Sequence, residues 1–506
     1  MLLLTIIKPL GFDNEVYQRL AIDLVHFGRW PIIGSWDHNL PLITIVHAAA
    51  VLLFGAHDLS LRLLDLLIQL AFCAFFYRFL QRWLRPSTAA LSVLLYVGYY
   101  VSASGLLLSE RDVYGGMLTL IALHLLLTAR DKQRSSSLTP WRLIASGAVS
   151  GLALAMRPTG VVTALVLSVA AALANPSASR SARLRMGALY LFASLLPLLL
   201  LLAAYATQPS GLRLLRDSVL AFNLELYAGM HNGFDLLVMQ FARRAMLTPF
   251  ILWGLFRWKR LVSRLHRSPD AWERGAVLML ANAALLIALA MRKYFDYQFA
   301  PFYLMLLPIA ALVVESVADQ VKHVVVRRVV MVALFFSATF IVYPVRMPVR
   351  FVTALVQHED PFAACYRVQY PDAAAEQAVL GYFDQSEHAL GSVEVLSFAA
   401  GLQAHLVRDR ATRFAHLHGL AYRLNPEDSI HPRFTEVQLR WHAEYMAALR
   451  AGRPAYVVLV RETPFSYLTD VRRDLTRHLD GFDAWLTERY QCDTTIGHYE
   501  IYRTRR

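Results

Sequence analysis

The sequence has few charged residues, few cysteines and no glycine-rich loop of the kind that binds phosphate. Charged residues make up 17% of the chain and hydrophobic residues 57%, whereas a soluble protein carries about a quarter charged residues. Repeated apolar stretches approach the roughly 20 residues that cross a bilayer, so the sequence predicts an integral membrane protein. The formal net charge of +13 does not indicate nucleic acid, because Lys and Arg fall in short loops between apolar segments.

The three cysteines show no spacing of a metal-binding Cys/His cluster. Cys73 lies inside an apolar segment and is interpreted as a small packing residue. Cys365 and Cys492 lie in the C-terminal polar region. If that region is outside the cytoplasm, a disulfide between them is permitted, and two separate thiols are the alternative.

The apolar stretches predict about eleven membrane-spanning helices. The first ten residues are apolar but too short to span and lack a signal-peptide cleavage site, so they are part of a first helix or the remnant of a longer one. Further spans are predicted at about 59–80, 89–108, 115–129, 142–156, 160–174, 186–206, 245–258, 275–291, 299–316 and 329–346. If residues 40–54 form an interfacial helix, every strongly basic loop falls on one face, which makes the N-terminus cytoplasmic.

The composition changes at about residue 347. Short apolar runs at 393–398 and 455–460 and an alternating run at 497–502 are typical of strands, and residues 371–389, 433–451 and 465–490 have helical character. The predicted fold class is therefore mainly α, a polytopic membrane helical bundle over residues 1–346 with a small C-terminal α/β extracytoplasmic domain over residues 347–506. A long first outer loop, residues 11–58, contains the interfacial helix.

Two acidic groups stand at the predicted outer face of the membrane. Asp13 and Glu15 open the first outer loop, and Glu110 and Asp112 interrupt a later apolar region. Carboxylates at a bilayer boundary are functional candidates, and one of them could deprotonate or orient the nucleophile of an acceptor. Pairing of Glu110 and Asp112 with Arg111 at a helix end is the structural alternative. Two further acids of the first loop are interpreted as solvated residues, Asp23 and Asp37.

Isolated cations are predicted on the same face. Arg157 stands at the tip of a short helical hairpin, and Arg292 and Lys293 precede Tyr294 in a later outer loop. Cations there could stabilise an anionic leaving group, and the planar donors of Arg suit a phosphate. Headgroup anchoring by the two basic residues and an aromatic-belt role for the tyrosine are the alternatives. Acids for an acceptor and cations for a phosphate together describe group transfer from a lipid phosphate.

Five motifs occur in a characteristic order. They are an acidic first loop with a Tyr four residues on (13–17), an interfacial helix after Leu-Pro-Leu (40–42), a second acidic loop (109–112), a Gly-Leu-Ala to Arg-Pro hairpin (151–158) and a basic-aromatic motif (293–298). This order resembles the GT-C superfamily of membrane glycosyltransferases. The resemblance covers about residues 11–310 and is greatest for the branch of the protein O-mannosyltransferases and the aminoarabinose transferase of lipid A.

The resemblance implies a sugar donor carried on a polyprenyl phosphate and used on the outer face without a nucleotide. By position, Asp13 would correspond to the principal catalytic acid, and Glu110 or Asp112 to the second. The chain departs from the family where a second acid often follows the first, because Asn14 stands there and Glu15 is displaced by one residue. It also departs before the interfacial helix, where the usual double Pro is replaced by Leu40-Pro41.

The sequence therefore predicts an integral-membrane glycosyltransferase that moves a sugar from a polyprenyl-phosphate donor to a lipid, glycan or protein acceptor of the cell envelope. Composition favours a bacterial inner membrane. A divalent cation would suit the acids, but the sequence defines no ligand set for one and no other cofactor. The alternatives are a transporter or flippase of lipid-linked saccharides and a non-catalytic assembly subunit. A transporter would show repeat symmetry and charges deep inside its spans, whereas the predicted charges concentrate at one face.

Overall fold

The computed structural model describes most of the chain. Described are all residues except 103–106, 134–139, 176–177, 230, 244–246, 266, 322, 327, 330–331, 334–345, 370–372, 386–390, 426–430, 462–469 and 506. The chain forms two compact units. The first comprises Met1–Lys8, Leu64–Ala204 and His231–Val352, and the second comprises Pro9–Leu63, Tyr205–Met230 and Thr353–Arg506. The domain boundary near residue 346 stays a prediction, because residues 334–345 are outside the described part.

Most of the predicted spans are present as helices. Among the described residues, five helices are long and apolar enough to cross a membrane: Asp58–Leu80, Arg111–Asp131, Arg180–Ala206, Ala271–Ala290 and Asp296–Ala318. Five shorter apolar helices are Leu42–Phe54, Pro86–Val101, Trp141–Met156, Gly160–Leu173 and Leu247–Phe256. The first ten residues contain only a 3-10 turn, Leu2–Thr5, and the span predicted at 329–346 lies mostly outside the described residues. The protein is thus mainly α and multi-pass, but the count of about eleven spans is not confirmed.

The helix Leu42–Phe54 occupies most of the segment predicted to be interfacial. Its 13 residues would measure about 20 Å at 1.5 Å per residue, which is shorter than the roughly 30 Å hydrocarbon core. Two helices at predicted spans, Gly160–Leu173 and Leu247–Phe256, are similarly short, so length does not distinguish an interfacial helix from a span. The lipid depth of this helix stays a prediction.

Ion pairs join several of the basic loops at one end of the first unit. Arg82 pairs with Asp131 at 2.6 Å and with Glu273 at 2.8 Å, and Arg130 pairs with Asp270 at 2.7 Å. Asp270 also caps the following helix through a capping box with Glu273. The loop that follows the helix ending at Leu80 and the last turn of the helix ending at Gln133 therefore meet the N-terminal end of the helix Ala271–Ala290. This grouping agrees with basic loops that share one face. The remaining helices of the first unit include Phe234–Arg243 and Trp258–Val262.

The second unit carries a four-stranded mixed sheet. Its strands are β1 (Val393–Leu396), β2 (Tyr456–Val460), β3 (Tyr490–Ile496) and β4 (Tyr499–Thr504), in the order β1-β2-β4-β3. β1 and β2 are parallel, and the other two pairs are antiparallel. Every residue of β1 and β2 is buried, as expected of short apolar runs in the middle of a sheet.

Helices complete this unit. They are Phe12–Phe27, Leu42–Phe54, Gly211–Leu215, Phe222–Glu225, Pro361–Gln369, Ala373–Asp384, Gly401–Leu406, His418–Ala421, Glu436–Gly452, Val471–His478 and Phe482–Arg489, with a π-helical turn at Arg216–Ala221. The core contains Trp36, Phe398, Trp441 and Trp485. The expected α/β character is present, but the helical segment expected over 465–490 contains two helices, Val471–His478 and Phe482–Arg489. The segment is broken at Gly481, whose φ of 74° is left-handed.

The disulfide that the sequence permitted is not formed. Cys365 is buried in the helix Pro361–Gln369, whereas Cys492 is exposed on β3. The two side chains therefore lie in different environments of the second unit. Cys73 is half-buried in the helix Asp58–Leu80, as a packing residue would be.

Candidate functional site

The second acidic group opens a membrane-spanning helix of the first unit. Glu110 is fully buried and follows Ser109, which has a left-handed φ of 60°. Arg111 starts the helix and pairs with Glu110, Nε to Oε1, at 3.3 Å. Asp112 stands in the first turn of this helix, where the unpaired backbone N–H groups favour a negative charge. The pairing with Arg111 considered from sequence is therefore present for Glu110, whereas Asp112 has another cationic partner.

That partner is Arg157. It lies between the helix ending at Met156 and the helix beginning at Gly160, as the hairpin motif predicted. Its guanidinium forms an ion pair with the Asp112 carboxylate, and the two side chains are only 10% and 2% exposed. Arg157 also contacts the Met291 sulfur. Burial of both charges in one pair lowers the cost that either would have alone.

A small cavity opens beside this ion pair. Its volume is about 50 Å³, and it is lined by Asp112, Arg157, Gln298, Gly116 and Thr163, among others. Gly116 lets its helix pack closely against Pro301, because an added Cβ would lie 3.3 Å from the Pro301 Cα. Both Gln298 and the Arg157 guanidinium are donors that suit an anionic oxygen. The cavity thus combines one carboxylate with cationic and amide donors.

The basic-aromatic loop follows the helix Ala271–Ala290. Arg292 and Tyr294 both have left-handed φ values, 52° and 54°, a conformation that non-glycine residues seldom adopt. Asn232 holds the loop by donating its backbone N–H to the Arg292 carbonyl at 2.9 Å and its side-chain amide to the Lys293 carbonyl at 2.5 Å. The backbone strain of these left-handed residues persists only where neighbouring groups impose it. Backbone strain of this kind clusters at functional sites.

The side chains of this loop differ in exposure. Arg292 is exposed, whereas Lys293 is only 4% exposed and Tyr294 is buried. Burial lowers the pKa of Lys293 to about 8. A lysine anchored among headgroups would be hydrated, so the burial of Lys293 does not fit the anchoring interpretation. Tyr294, being buried, does not fit a lipid-facing belt residue either.

The first acidic group belongs to the second unit. Asp13 and Glu15 stand in the first turn of the helix Phe12–Phe27, again where backbone N–H groups favour carboxylates. Asp13 is half-buried and Glu15 is buried. The Glu15 carboxylate packs against Gly401, where an added Cβ would lie 2.9 Å from Glu15 Oε2. The more accessible of the two carboxylates is therefore Asp13.

Two acids of the same loop, interpreted from sequence as solvated, are buried instead. Asp23 is fully buried and accepts from Arg19 at 2.6 Å and from Arg410 at 2.5 Å. Asp37 is 2% exposed and accepts from the His38 backbone N–H at 2.7 Å and from Asn39 Nδ2 at 3.1 Å. The solvated interpretation was wrong because loop position alone does not show that residues distant in sequence cover these carboxylates.

Within the first unit, the structure brings Glu110, Asp112 and Arg157 together. The cavity beside them is not lined by Arg292, Lys293 or Tyr294. Asp13 and Glu15 both stand in the first turn of one helix of the second unit. No group of three or more His, Cys, Asp or Glu residues suited to a metal is found in the part of the chain that the structure describes. No ligand set for a divalent cation is therefore identified.

Sequence reasoning missed two residues of this region. Met291 contacts Arg157, but an apolar residue at a helix end carries no signal for such a role. Asp65 is fully buried in the helix Asp58–Leu80, and it is an exception to the view that charges concentrate at one face. A carboxylate between Leu64 and Leu66 inside a predicted span is itself a functional signal.

Comparison with known proteins agrees with the motif order. A family model described as dolichyl-phosphate-mannose-protein mannosyltransferase matches residues 37–205. No curated protein matches the chain in sequence. The solved structure of ArnT from Cupriavidus metallidurans bound to undecaprenyl phosphate is similar, with 14% identity, a TM-score of 0.55 and coverage of 99% of this chain and 94% of that chain. Its apo form gives 16% identity, a TM-score of 0.54 and coverage of 98% and 94%.

A weaker likeness is found to the Archaeoglobus fulgidus oligosaccharyltransferase in its apo form. Identity is 14% and the TM-score is 0.45, with coverage of 89% of this chain and 66% of that chain, so this chain spans just under two thirds of its length. A score this low supports no argument. The family model and the two ArnT structures are sufficient to confirm the resemblance that the motifs indicated. The chain is a multi-pass membrane protein with the fold of the two ArnT structures.

Proposed function

We propose that the protein transfers a sugar from a polyprenyl-phosphate donor to an acceptor at the outer face of the membrane. In this reaction the bond between the sugar C1 and the phosphate oxygen breaks, and a bond forms between C1 and an acceptor oxygen or nitrogen. The acceptor proton passes to a carboxylate, and the polyprenyl phosphate leaves as an anion. The family model that matches residues 37–205 and the ArnT structure with bound undecaprenyl phosphate support this donor class.

The observation that carries the proposal is the buried Asp112–Arg157 pair beside a small polar cavity. A guanidinium has five N–H donors in a planar fork, so Arg157 can hold a carboxylate and a phosphate oxygen at once. Arg157 is proposed to stabilise the leaving phosphate, with Asp112 fixing its orientation. Glu110 is proposed as a second carboxylate of this group.

The basic-aromatic loop is proposed to hold the same phosphate. Lys293 supplies a buried charge that water screens little, and Tyr294 supplies a hydroxyl donor. Arg292 is proposed to meet the donor headgroup from solvent, since its side chain is exposed. A cation in a poorly hydrated site acts more strongly on an anion than the same cation in water.

Asp13 is proposed to act on the acceptor. Its carboxylate is the more accessible member of the Asp13–Glu15 pair, so a hydroxyl or amine can reach it and lose a proton to it. Glu15 is proposed to support this role from its contact with Gly401. Residues 1–346 would then form the catalytic module and residues 347–506 an extracytoplasmic domain on the acceptor side, in a bacterial inner membrane with a cytoplasmic N-terminus. The acceptor is proposed to be a lipid, glycan or protein of the cell envelope.

The test compares the purified wild type with Asp13→Asn after reconstitution into liposomes. Radiolabelled polyprenyl-phosphate sugars serve as donors, and a cell-envelope extract supplies acceptors. Asp384→Asn is the matched control, because Asp384 is exposed at the end of the helix Ala373–Asp384. We expect transfer by the wild type and the control, and a fall of roughly 100-fold or more in Asp13→Asn if the carboxylate is the base.

The other outcomes separate the alternatives. Equal transfer by Asp13→Asn and the wild type would remove Asp13 from the proposed role and leave Glu110 and Asp112 as candidates. If no donor supports transfer by the wild type, the transferase proposal fails. Donor movement across the liposome bilayer without transfer would instead establish a flippase.

A further inference from the structure

One carboxylate lies deep in a membrane-spanning helix of the first unit. Asp65 is fully buried in the helix Asp58–Leu80. It accepts hydrogen bonds from the Tyr100 hydroxyl at 2.8 Å, from the Tyr114 hydroxyl at 2.8 Å and from Gln69 Nε2 at 3.1 Å. Hydrogen bonds that converge on one buried side chain are strong where water is excluded. Asp65 therefore fixes two tyrosines from two other parts of the unit.

The first of these tyrosines reaches the residue before the second acidic group. The Tyr100 hydroxyl donates to Asp65 Oδ2 and accepts from the Ser109 backbone N–H at 2.7 Å. Ser109 has a φ of 60°, which an L-residue adopts only where its surroundings hold it. The next residue is Glu110. The Asp65–Tyr100 pair thus holds the turn from which Glu110 projects.

The second tyrosine reaches the other flank of the same group. Tyr114 stands in the first turn of the helix Arg111–Gln133, and its backbone N–H bonds to the Glu110 carbonyl at 3.2 Å. Its hydroxyl donates to Asp65 Oδ1. Ser109 and Tyr114, on either side of Glu110, Arg111 and Asp112, are therefore both tied to one buried carboxylate.

We infer that Asp65 is a positioning residue for the second acidic group. Through Tyr100 and Tyr114 it sets the place of Glu110 and Asp112, and it contacts neither the donor nor the acceptor itself. This inference rests on the proposed function, which gives these two acids their roles. An acidic residue in a membrane-spanning helix is costly and marks a functional position. An Asn at this position would be uncharged and would turn one of its two acceptor sites into a donor.

The test compares Asp65→Asn and Tyr100→Phe with Tyr96→Phe as the matched control. Tyr96 lies one helical turn before Tyr100, is equally buried, and donates to Gln69 Oε1 at 2.6 Å. Its loss removes one hydroxyl from the same helix without touching Ser109. Initial rates of the reconstituted full chain, with a polyprenyl-phosphate sugar as donor, give kcat and the donor KM. We expect kcat to fall by roughly 10- to 100-fold in Asp65→Asn and Tyr100→Phe with little change in KM, and Tyr96→Phe to stay near the wild type.

A double-mutant comparison asks whether Tyr100 acts through Glu110. If it does, Tyr100→Phe causes little further loss in the Glu110→Gln background, because the side chain that it positions is already neutral. An equal fold-loss in both backgrounds would overturn the inference. So would a Tyr100→Phe enzyme that matches Tyr96→Phe.

Amide hydrogen exchange gives a readout that needs no activity. Residues 107–114 should exchange faster in Asp65→Asn and Tyr100→Phe than in Tyr96→Phe, since the turn at Ser109 loses its anchor. Equal exchange in all three variants would overturn the positioning role. Faster exchange in a chain without transferase activity would support the anchor and reject only the proposed function.

Discussion

The Asp112 carboxylate and the Arg157 guanidinium form an ion pair whose side chains are almost entirely buried. The two residues come from different motifs, one at the start of a membrane-spanning helix and the other at the tip of a helical hairpin. A buried pair of this kind costs desolvation, so its presence beside a cavity is better explained by a role than by stability alone. To hold the carboxylate and the leaving phosphate together, Arg157 needs the planar fork of its guanidinium as well as its charge.

Arg157→Lys should therefore raise the donor KM although the charge is kept. A Lys ammonium lacks the planar fork that would hold the Asp112 carboxylate and a phosphate oxygen at once. Loss of one charge-assisted hydrogen bond, worth about 1.5–3 kcal/mol, corresponds to a rise of roughly 10- to 100-fold in KM. The control is Arg264→Lys, which changes an exposed pair with Asp319 at 2.6 Å and should leave KM unchanged. An unaltered KM in Arg157→Lys would contradict the proposed contact between the Arg157 guanidinium and the donor phosphate.

From the burial of Lys293 we predict that kcat/KM for the donor falls at alkaline pH. Burial lowers the pKa of its ammonium to about 8, so the free enzyme carries this charge below pH 8 and loses it above. We expect kcat/KM for the donor, which reports groups of the free enzyme, to fall as the pH rises through about 8. In Lys293→Arg the limit should move to higher pH, because a guanidinium stays charged.

The Lys293 prediction is checked by kcat/KM measured from pH 6 to 10. Lys259, which is exposed in the helix Trp258–Val262, gives a suitable control. Lys259→Arg should show the alkaline limit of the wild type. An identical pH profile in Lys293→Arg and the wild type would assign the limit to another group.

The sequence predicted the helices of the first unit because their apolar runs are long and bounded by polar loops. It also predicted the hairpin that carries Arg157 and the acidic start at Asp112, since both are local motifs. It could not predict that Lys293 is buried, because burial depends on chain segments distant in sequence. The contacts of Asp65 could not be predicted for the same reason, since Tyr100 and Tyr114 reach it from two later segments.

The second unit was predicted less well at its C-terminal end. The sequence indicated helical character up to residue 490 and no element over 491–496, yet Tyr490–Ile496 pairs with Tyr499–Thr504 as a hairpin. Tertiary pairing overrides local propensity in such cases. The same limit applies to Asp23, because a loop acid gives no sign that Arg410 will cover it.

Arg410→Met should destabilise the second unit. Arg410 and Arg19 both donate to the buried Asp23 carboxylate, and removal of one partner leaves its charge only partly compensated. Breaking a buried pair of this kind costs about 3–5 kcal/mol. The control is Arg367→Met, because Arg367 and Glu359 form an exposed pair at 3.1 Å that is worth about 0–1 kcal/mol. Thermal unfolding in detergent measures both, and equal melting temperatures for the two variants would contradict a stabilising role.

We predict that His405 contributes to the free energy of unfolding by an amount that depends on pH. Its Nδ1 lies 2.6 Å from Glu376 Oε1 and its Nε2 lies 3.2 Å from Asp58 Oδ1, so both nitrogens donate only when the ring is protonated. Burial alone would lower the pKa of His405, but the carboxylates of Asp58 and Glu376 raise it well above its usual range. The folded state therefore keeps a proton that the unfolded state releases near pH 6.5.

The direction of the pH dependence follows from the extra proton that the folded state keeps. The contribution of His405 is complete below about pH 6.5 and is lost as the pH rises through its raised folded pKa. His405→Gln should lower the free energy of unfolding by about 2–3 kcal/mol at pH 6 and by less at alkaline pH. His26→Gln, at an exposed position, is the control and should leave the pH dependence of the wild type intact. Melting temperatures at pH 6 and pH 9 test this, and a His405→Gln protein that loses as much stability at pH 9 as at pH 6 would show that the contact acts by packing and not by charge.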